Sequence, residues 1–220
     1  MDFSNFSPAL IIVTVVSLAV APFLAVMVTS FTKIVVVLSL LRNALGLQQT
    51  PPNIVINGMA MVLSIYVMFP VILSTTDSIA EPLANVPAEG MTLDTMLDVV
   101  NEGKEPMRDF LLEHSSETER GFFLRSAQRL LPEEKRDDIS GNDFIVVVPS
   151  FTVSELTAAF QIGVLIFLPF LVIDLIVSNI LLALGMMMLP PTVVSLPFKL
   201  LLFVLIDGWA KLVHGIVMTY

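Results

Sequence analysis

The sequence contains no cysteine, which excludes disulfides and thiolate metal sites. It has little charge: Asp, Glu, Lys and Arg make up 14% of its 220 residues, against about 25% in a soluble domain. It carries no Walker loop or other glycine-rich phosphate cradle, no G-x-S-x-G and no H-E-x-x-H. Nucleotide binding, elbow-type hydrolysis and zincin chemistry therefore have no motif to stand on, and no cofactor is expected. Its two histidines, His114 and His214, stand far apart with no ligand spacing around either and read as surface or interfacial residues. Basic residues are too few for a nucleic-acid footprint. No Lys or Arg precedes the first apolar stretch. A cleavable leader normally has a basic start, so the first segment reads as a retained helix with an exported N-terminus.

What is present is apolar. Hydrophobic residues make up 55% of the chain and mean hydropathy is +0.88, the composition of an all-α integral membrane protein. The charge is localised. Residues 75–155 hold 17 acidic and seven basic side chains, while the rest of the chain holds Asp2, Asp174 and Asp207 against Lys33, Arg42, Lys199 and Lys211. An acidic insert thus interrupts an almost uncharged frame. Three regions follow: a first hydrophobic helical hairpin at 1–74, an acidic and mainly helical insert at 75–151, and a second hydrophobic hairpin at 152–220.

Residues 8–31 are free of charge and long enough to cross a bilayer core, which needs roughly 20 residues. Pro22 predicts a kink. The apolar pattern continues through Arg42 to Gly46, a helix-stopping residue, and Pro51-Pro52 bars continuation. Residues 54–73 form a second span. Within the insert, helices are expected at about 92–100, at 106–112 after Pro106, and at 116–131. The last of these turns Phe122, Phe123, Leu124, Ala127, Leu130 and Leu131 inward. Thr152 and Glu155 have capping-box spacing, so the third span is expected to begin near Val153. It runs to about Met186, roughly 50 Å if helical, with a bend at Pro169. A fourth span covers 192–217. The expected fold is four long, partly kinked helices in two hairpins with an extracytoplasmic insert. Lys33 and Arg42, read as the charges of the first connection, put that connection in the cytoplasm. The insert and both termini then lie outside.

Ionisable residues in apolar spans are candidates for function. Asp207 and Lys211, at i,i+4, are expected to neutralise one another. Asp174 has no local partner, leaving two readings: an ion pair with Lys199 or Lys33, or a proton relay. Lys33 and Arg42 could reach a membrane surface or partner carboxylates. Ala159 and Gly163, like Ala60 and Ser64, form small-x-x-x-small pairs that let helices approach closely, and Gln161 beside them is a candidate interhelical donor. Met186, Met187 and Met188 lie between Gly185 and Pro190-Pro191. They read either as an apolar hairpin tip or, in a symmetric ring of chains, as a collar that closes a pore by dewetting.

The stretches TSFTKIVVVLSLLRNALGLQQTPPN (29–53) and FTVSELTAAFQIGVLIFLPFLVIDLIVSNILLALGMMMLPP (151–191), together 66 residues, resemble the type III secretion export-gate family. That family comprises the R subunit of virulence-associated injectisomes and the flagellar P protein; the start of this chain looks more like the injectisome branch. The resemblance implies a non-enzymatic subunit of the bacterial inner membrane that forms a ring of about five copies. Its implied partners are the S and T gate subunits, the V export protein, the U switch protein, membrane lipid and unfolded proteins in transit. It also implies that Met186, Met187 and Met188 form a gasket in the pore. Asp174, Lys199 and Asp207 become candidates for intersubunit pairs. Two rival readings remain: a proton-coupled small-solute transporter with Asp174 as relay, and a passive scaffold.

Overall fold

The computed structural model describes residues 8–84, 93–136, 138–186 and 188–220. Among the described residues the regular structure is entirely helical. In chain order the helices are α1 (Pro8–Val28), α2 (Phe31–Ala44), α3 (Asn53–Ala84), α4 (Leu93–Gly103), α5 (Glu105–Glu113), α6 (Glu117–Leu130), α7 (Phe144–Ala183), α8 (Pro191–Leu205) and α9 (Gly208–Val217). Two of them, α3 and α7, are long and apolar enough to cross a membrane. The number rises to four if each bent pair, α1 with α2 and α8 with α9, counts as one span.

α2 is the centre. Ile34, Val37, Leu38, Leu41, Ala44 and Leu45 are buried, the i, i+3, i+4, i+7 series of a helix enclosed along one stripe. α3 packs on one flank of α2 and α7 on the other, while α8 and α9 return along α7. α4 lies against α3, α6 against α7, and α5 against both. At that end Phe110 and Leu111 of α5 close over Met68, Val147 and Phe151.

The breaks between helices fall where hydrogen bonding permits them, and Pro22, Pro149 and Pro169 lie inside continuous helices. α1 runs through Pro22 to Val28 and then turns by 64° into α2. The carbonyls of Ala25 and Val26 lack partners at such an end; they accept the hydroxyls of Thr29 at 2.7 Å and Thr32 at 2.8 Å. α7 is one 40-residue helix through both Pro149 and Pro169. It begins at Phe144, not near Val153, because the Asp143 carbonyl accepts the amides of Val146 and Val147 and the Asp143 side chain ties back to the Ser140 amide. The Thr152–Glu155 capping box does not form: Thr152 donates to the Val148 and Met27 carbonyls. The boundary at 74/75 consequently lies inside α3 and that at 151/152 inside α7.

Small residues set the approach of α2 to α7 and α3. A Cβ built on Gly163 would lie 2.2 Å from Leu40 Cδ1 and 3.3 Å from Leu40 Cβ. Ala159 and Ala60 are fully buried. Ser64 accepts the Ser30 hydroxyl at 3.1 Å between α3 and α2. Gln161 is exposed, on the other face of α7. In α6, Phe122 (54% exposed) and Leu130 (86%) point outward. They are not part of an inward stripe, since Phe123, Leu124 and Ala127 supply the partly buried side. The helix expected from about Thr92 begins at Leu93; Thr92 itself lies outside the described residues.

Gly163→Ala is expected to lower the stability of the detergent-solubilised protein by about 1–3 kcal/mol, the cost of overpacking a tight contact. Gly58→Ala in α3, where an added Cβ meets nothing within 4 Å, is expected to cost nothing and to gain up to about 1 kcal/mol from helix propensity. Thermal unfolding of the two variants side by side checks both.

Candidate functional site

The turns joining α2 to α3 and α7 to α8 share one frame. Gly46 (φ +79°) and Gly185 (φ +71°) both adopt the left-handed conformation just past a helix end, which only glycine takes without strain. The amides of Gly46 and Leu47 donate to the carbonyls of Asn43 and Arg42; those of Gly185 and Met186 donate to Leu182 and Leu181. Both are complete Schellman caps. A proline pair follows each glycine at the same spacing, Pro51-Pro52 and Pro190-Pro191. The contents differ: Leu47-Gln48-Gln49-Thr50 in one turn, Met186-Met187-Met188-Leu189 in the other. Met186 occupies the position of Leu47, where a Schellman cap commonly places an apolar side chain. It is 43% exposed, and Met188 is 98% exposed. Met187 lies outside the described residues.

Two ion pairs, one buried and one part-buried, hold the frame beneath these turns. The first joins α2, α7 and the residues after α9. Lys33 Nζ lies 2.8 Å from Glu155 Oε1, and both side chains are almost fully buried. Lys33 also donates to Thr219 Oγ1 at 3.4 Å and sits 3.9 Å above the centre of the Tyr220 ring. The Tyr220 hydroxyl donates to Glu155 Oε2. Burial, followed by the charge and the hydrogen bond of Glu155, pushes that hydroxyl above its ordinary value, so it remains a donor. Phe110 of α5 and His114, which caps that helix, pack on the same ring. His114 is thereby half-buried within an aromatic cluster, with Nδ1 2.9 Å from the Phe110 carbonyl, whereas His214 is exposed.

The second pair joins α2, α7 and α8. Lys199 Nζ lies 2.6 Å from Asp174 Oδ2 and donates at 3.2 Å to the carbonyl of Ala44, the last residue of α2. A cation at a helix C-terminus meets the negative end of the dipole. Ser195 donates to the other Asp174 oxygen at 2.5 Å. Asp174 is thus bound on both oxygens, and its partner is Lys199, not Lys33.

The remaining charges lie elsewhere. Among the described residues Arg42 meets no carboxylate; it closes the first turn by donating to Asn53 Oδ1 at 2.6 Å and the Pro51 carbonyl at 3.2 Å. Asp207 and Lys211 form no ion pair. An i,i+4 pair needs helical backbone at both residues, but Asp207 stands outside α9 as its cap, at the 62° bend that follows α8. Asp207 sits at the bend with φ +52°, and both side chains are exposed. Between α7 and this bend lies an apolar cavity of about 430 Å³, with Ile162, Phe170, Phe203 and Leu212 among its walls and Lys211 at its edge. Among the described residues no three His, Cys, Asp or Glu side chains are grouped to hold a metal. The two lysine–carboxylate pairs fasten helices to one another.

Glu155→Leu is expected to destabilise the protein by about 3–5 kcal/mol, because it strands the Lys33 ammonium in the interior. Adding Lys33→Met and Tyr220→Phe to the same chain removes the stranded groups and is expected to recover most of that loss. Denaturant titrations in detergent of the single and triple variants check the pair.

A sequence model described as the FliP family matches residues 12–216 of this chain. The chain is 48% identical over 217 residues to the hypersensitivity response secretion protein HrcR of Ralstonia nicotianae, covering 98% of this chain and 99% of the relative. It is 48% identical over 210 residues to the Yop proteins translocation protein R of Yersinia pestis, covering 96% and 95%. It is 44% identical over 214 residues to the virulence protein YscR of Salmonella typhimurium, covering 97% of each. With a family match across nearly its whole length and relatives of this identity and coverage, the chain belongs to the FliP family.

Proposed function

We propose that this protein is a non-enzymatic core subunit of a type III secretion export gate in the bacterial inner membrane. Copies of it, about five, close a ring with the S and T subunits. Unfolded proteins pass through the ring after delivery by the V protein, with the U switch protein alongside. The names of its relatives, drawn from secretion and translocation systems, support this class. In this reading the helices pair into two hairpins, α1–α2 with α3 and α7 with α8–α9, and α4 to α6 form the extracytoplasmic insert. The turn end faces the cytoplasm. Arg42 remains the basic residue at that end, because Lys33 lies neutralised against Glu155 at the other.

The observation that carries the gasket is the pair of matching turns. The first turn shows that a Gly cap and a Pro pair accommodate Gln-Gln-Thr without difficulty. The geometry of the second turn therefore does not require methionine beyond Met186. Met188 stands 98% exposed, a flexible thioether with no covering group in its own chain. Ring symmetry would bring such side chains together around one axis as a deformable apolar constriction. The solute-transporter reading has no observation in its favour. Asp174 is held by Lys199 and Ser195, and the relatives are named for secretion and translocation.

Replacing Met187 and Met188 by Gln keeps Met186 in its capping role and copies the polar turn. The reconstituted assembly is expected to remain intact and become leaky to small ions, as is the variant with Met186, Met187 and Met188 all changed to Ala. Ion flux from liposomes measures this, with native mass spectrometry confirming the ring. An intact assembly that stays ion-tight in both variants overturns the gasket.

A further inference from the structure

The insert is acidic as a whole, yet its charges are sorted by face. In α6, Arg125 and Arg129 lie one turn apart and are both exposed, with Arg136 just beyond. Together with Gln128 they line a depression of about 390 Å³. Among the described residues no carboxylate lies within ion-pair distance of Arg125 or Arg129, and Arg136 has only the exposed Glu133 at 3.6 Å. Phe122, 54% exposed, stands at i−3 from Arg125 and so on the same side of the helix. An exposed aromatic ring beside unpaired arginines has the composition of an interface centre.

The opposite charge lies on the opposite flank. Asp98 and Glu102 of α4, and Asp109 and Glu113 of α5, are two i,i+4 carboxylate pairs, all four exposed. α4 packs on α3 and α6 packs on α7, with α2 between α3 and α7. α5 lies against both α3 and α7, so the α4 carboxylates and the α6 arginines belong to opposite flanks of one molecule, with the α5 carboxylates between them. Isologous association would bring each face against its own copy, acid on acid or arginine on arginine. That juxtaposition costs several kcal/mol. Head-to-tail association pairs arginine with carboxylate at every contact, and a head-to-tail contact closes into a ring when the rotation permits.

We propose that the arginine face of α6 in one copy docks on the acidic α4–α5 face of the next, so that the insert sets the direction of the ring. This rests on the reading that the protein assembles with copies of itself. Each contact exchanges solvated charges for arginine–carboxylate pairs around Phe122, and an arginine fork suits a carboxylate partner. The net negative charge of the insert is then no obstacle to assembly, because the arginines are concentrated where the neighbour's acids arrive.

The absence of native cysteine makes the test direct. Full-length protein carrying Arg129→Cys together with either Glu102→Cys or Glu113→Cys is purified in detergent and oxidised. At least one of the two pairings is expected to give a ladder extending beyond dimer, while each single-cysteine variant stays monomeric on a denaturing gel. Dimers from Arg129→Cys alone show a symmetric contact and overturn the proposal. An assembly intact by native mass spectrometry with no cross-link from either pairing overturns the docking surface and leaves the ring standing. Failure of the unmodified protein to assemble overturns both. The R125E/R129E variant is expected to reduce the assembled fraction more than about tenfold. Adding D98K/E102K to the same chain restores complementarity with the signs exchanged, and recovery of assembly is expected. An R125E/R129E variant that assembles like the unmodified protein overturns the proposal.

Discussion

The architecture depends on the neutralisation of two lysines inside an apolar bundle. Glu155 and Asp174 stand 19 residues apart on α7, about 28 Å at helical rise. One binds Lys33 near the start of α2, and the other binds Lys199, which in turn reaches the carbonyl at the end of α2. An isolated charge at either place would be very costly, so α2 cannot slide along α7 by even one turn without stranding a lysine. The same two nodes fix the return of the chain: Ser195 and Lys199 belong to α8, while Thr219 and Tyr220 follow α9. α7 thus acts as a ruler with a charge at each mark, and α2, α8 and the end of α9 are set against it.

Between the two marks the contact is close rather than charged. Gly163 admits Leu40, and Ala159 lies flat against the α2 core. Without the glycine the helices would stand apart, and the ion pairs would have to stretch or leave. Helix approach and charge pairing are therefore one constraint. The stretch between the two nodes is left to dispersion and shape.

Much of this was legible in the sequence for identifiable reasons. Helices in an apolar chain must satisfy their own backbones, so the apolar runs, and the turns at Gly46 and Gly185, could be read directly. Asp174 could be recognised as needing a partner, with Lys199 one of two choices. Lys33–Glu155 was hidden because the residues are distant in sequence and because Thr152-x-x-Glu155 imitates a helix start. The true start depends on Asp143, whose carbonyl caps α7 nine residues earlier. The breaks after Val28 and Leu205 were hidden for a related reason. A proline in a long apolar helix removes one hydrogen bond and can be absorbed. At Thr29 and Thr32, hydroxyls replace the carbonyls' lost partners and make an open break inexpensive. At Asp207 the break rests on a left-handed residue that no composition rule would place there. Once the helix was assumed continuous, pairing Asp207 with Lys211 followed, and it failed with that assumption.

The matching turns carry the argument furthest because one chain supplies its own control. A methionine cluster at a helix break could always be ascribed to the break. Here the same cap and the same proline pair occur twice, at the same end of parallel helices α2 and α7, with polar residues in one instance. The shared cap therefore accounts for Gly185 and the apolar nature of Met186, and not for the exposed Met188. Burying a methionine side chain contributes about 1.5–3 kcal/mol, and Met188 gains almost none of it within its own chain. An apolar loop left exposed at a hairpin tip has a physical rationale when other copies cover it. The charged insert, at the opposite end of the bundle, has a matching feature among the described residues: Arg125 and Arg129 of α6 meet no carboxylate, and Asp98 and Glu102 of α4 meet no cation. In the proposed assembly a further copy of the same chain would cover both ends.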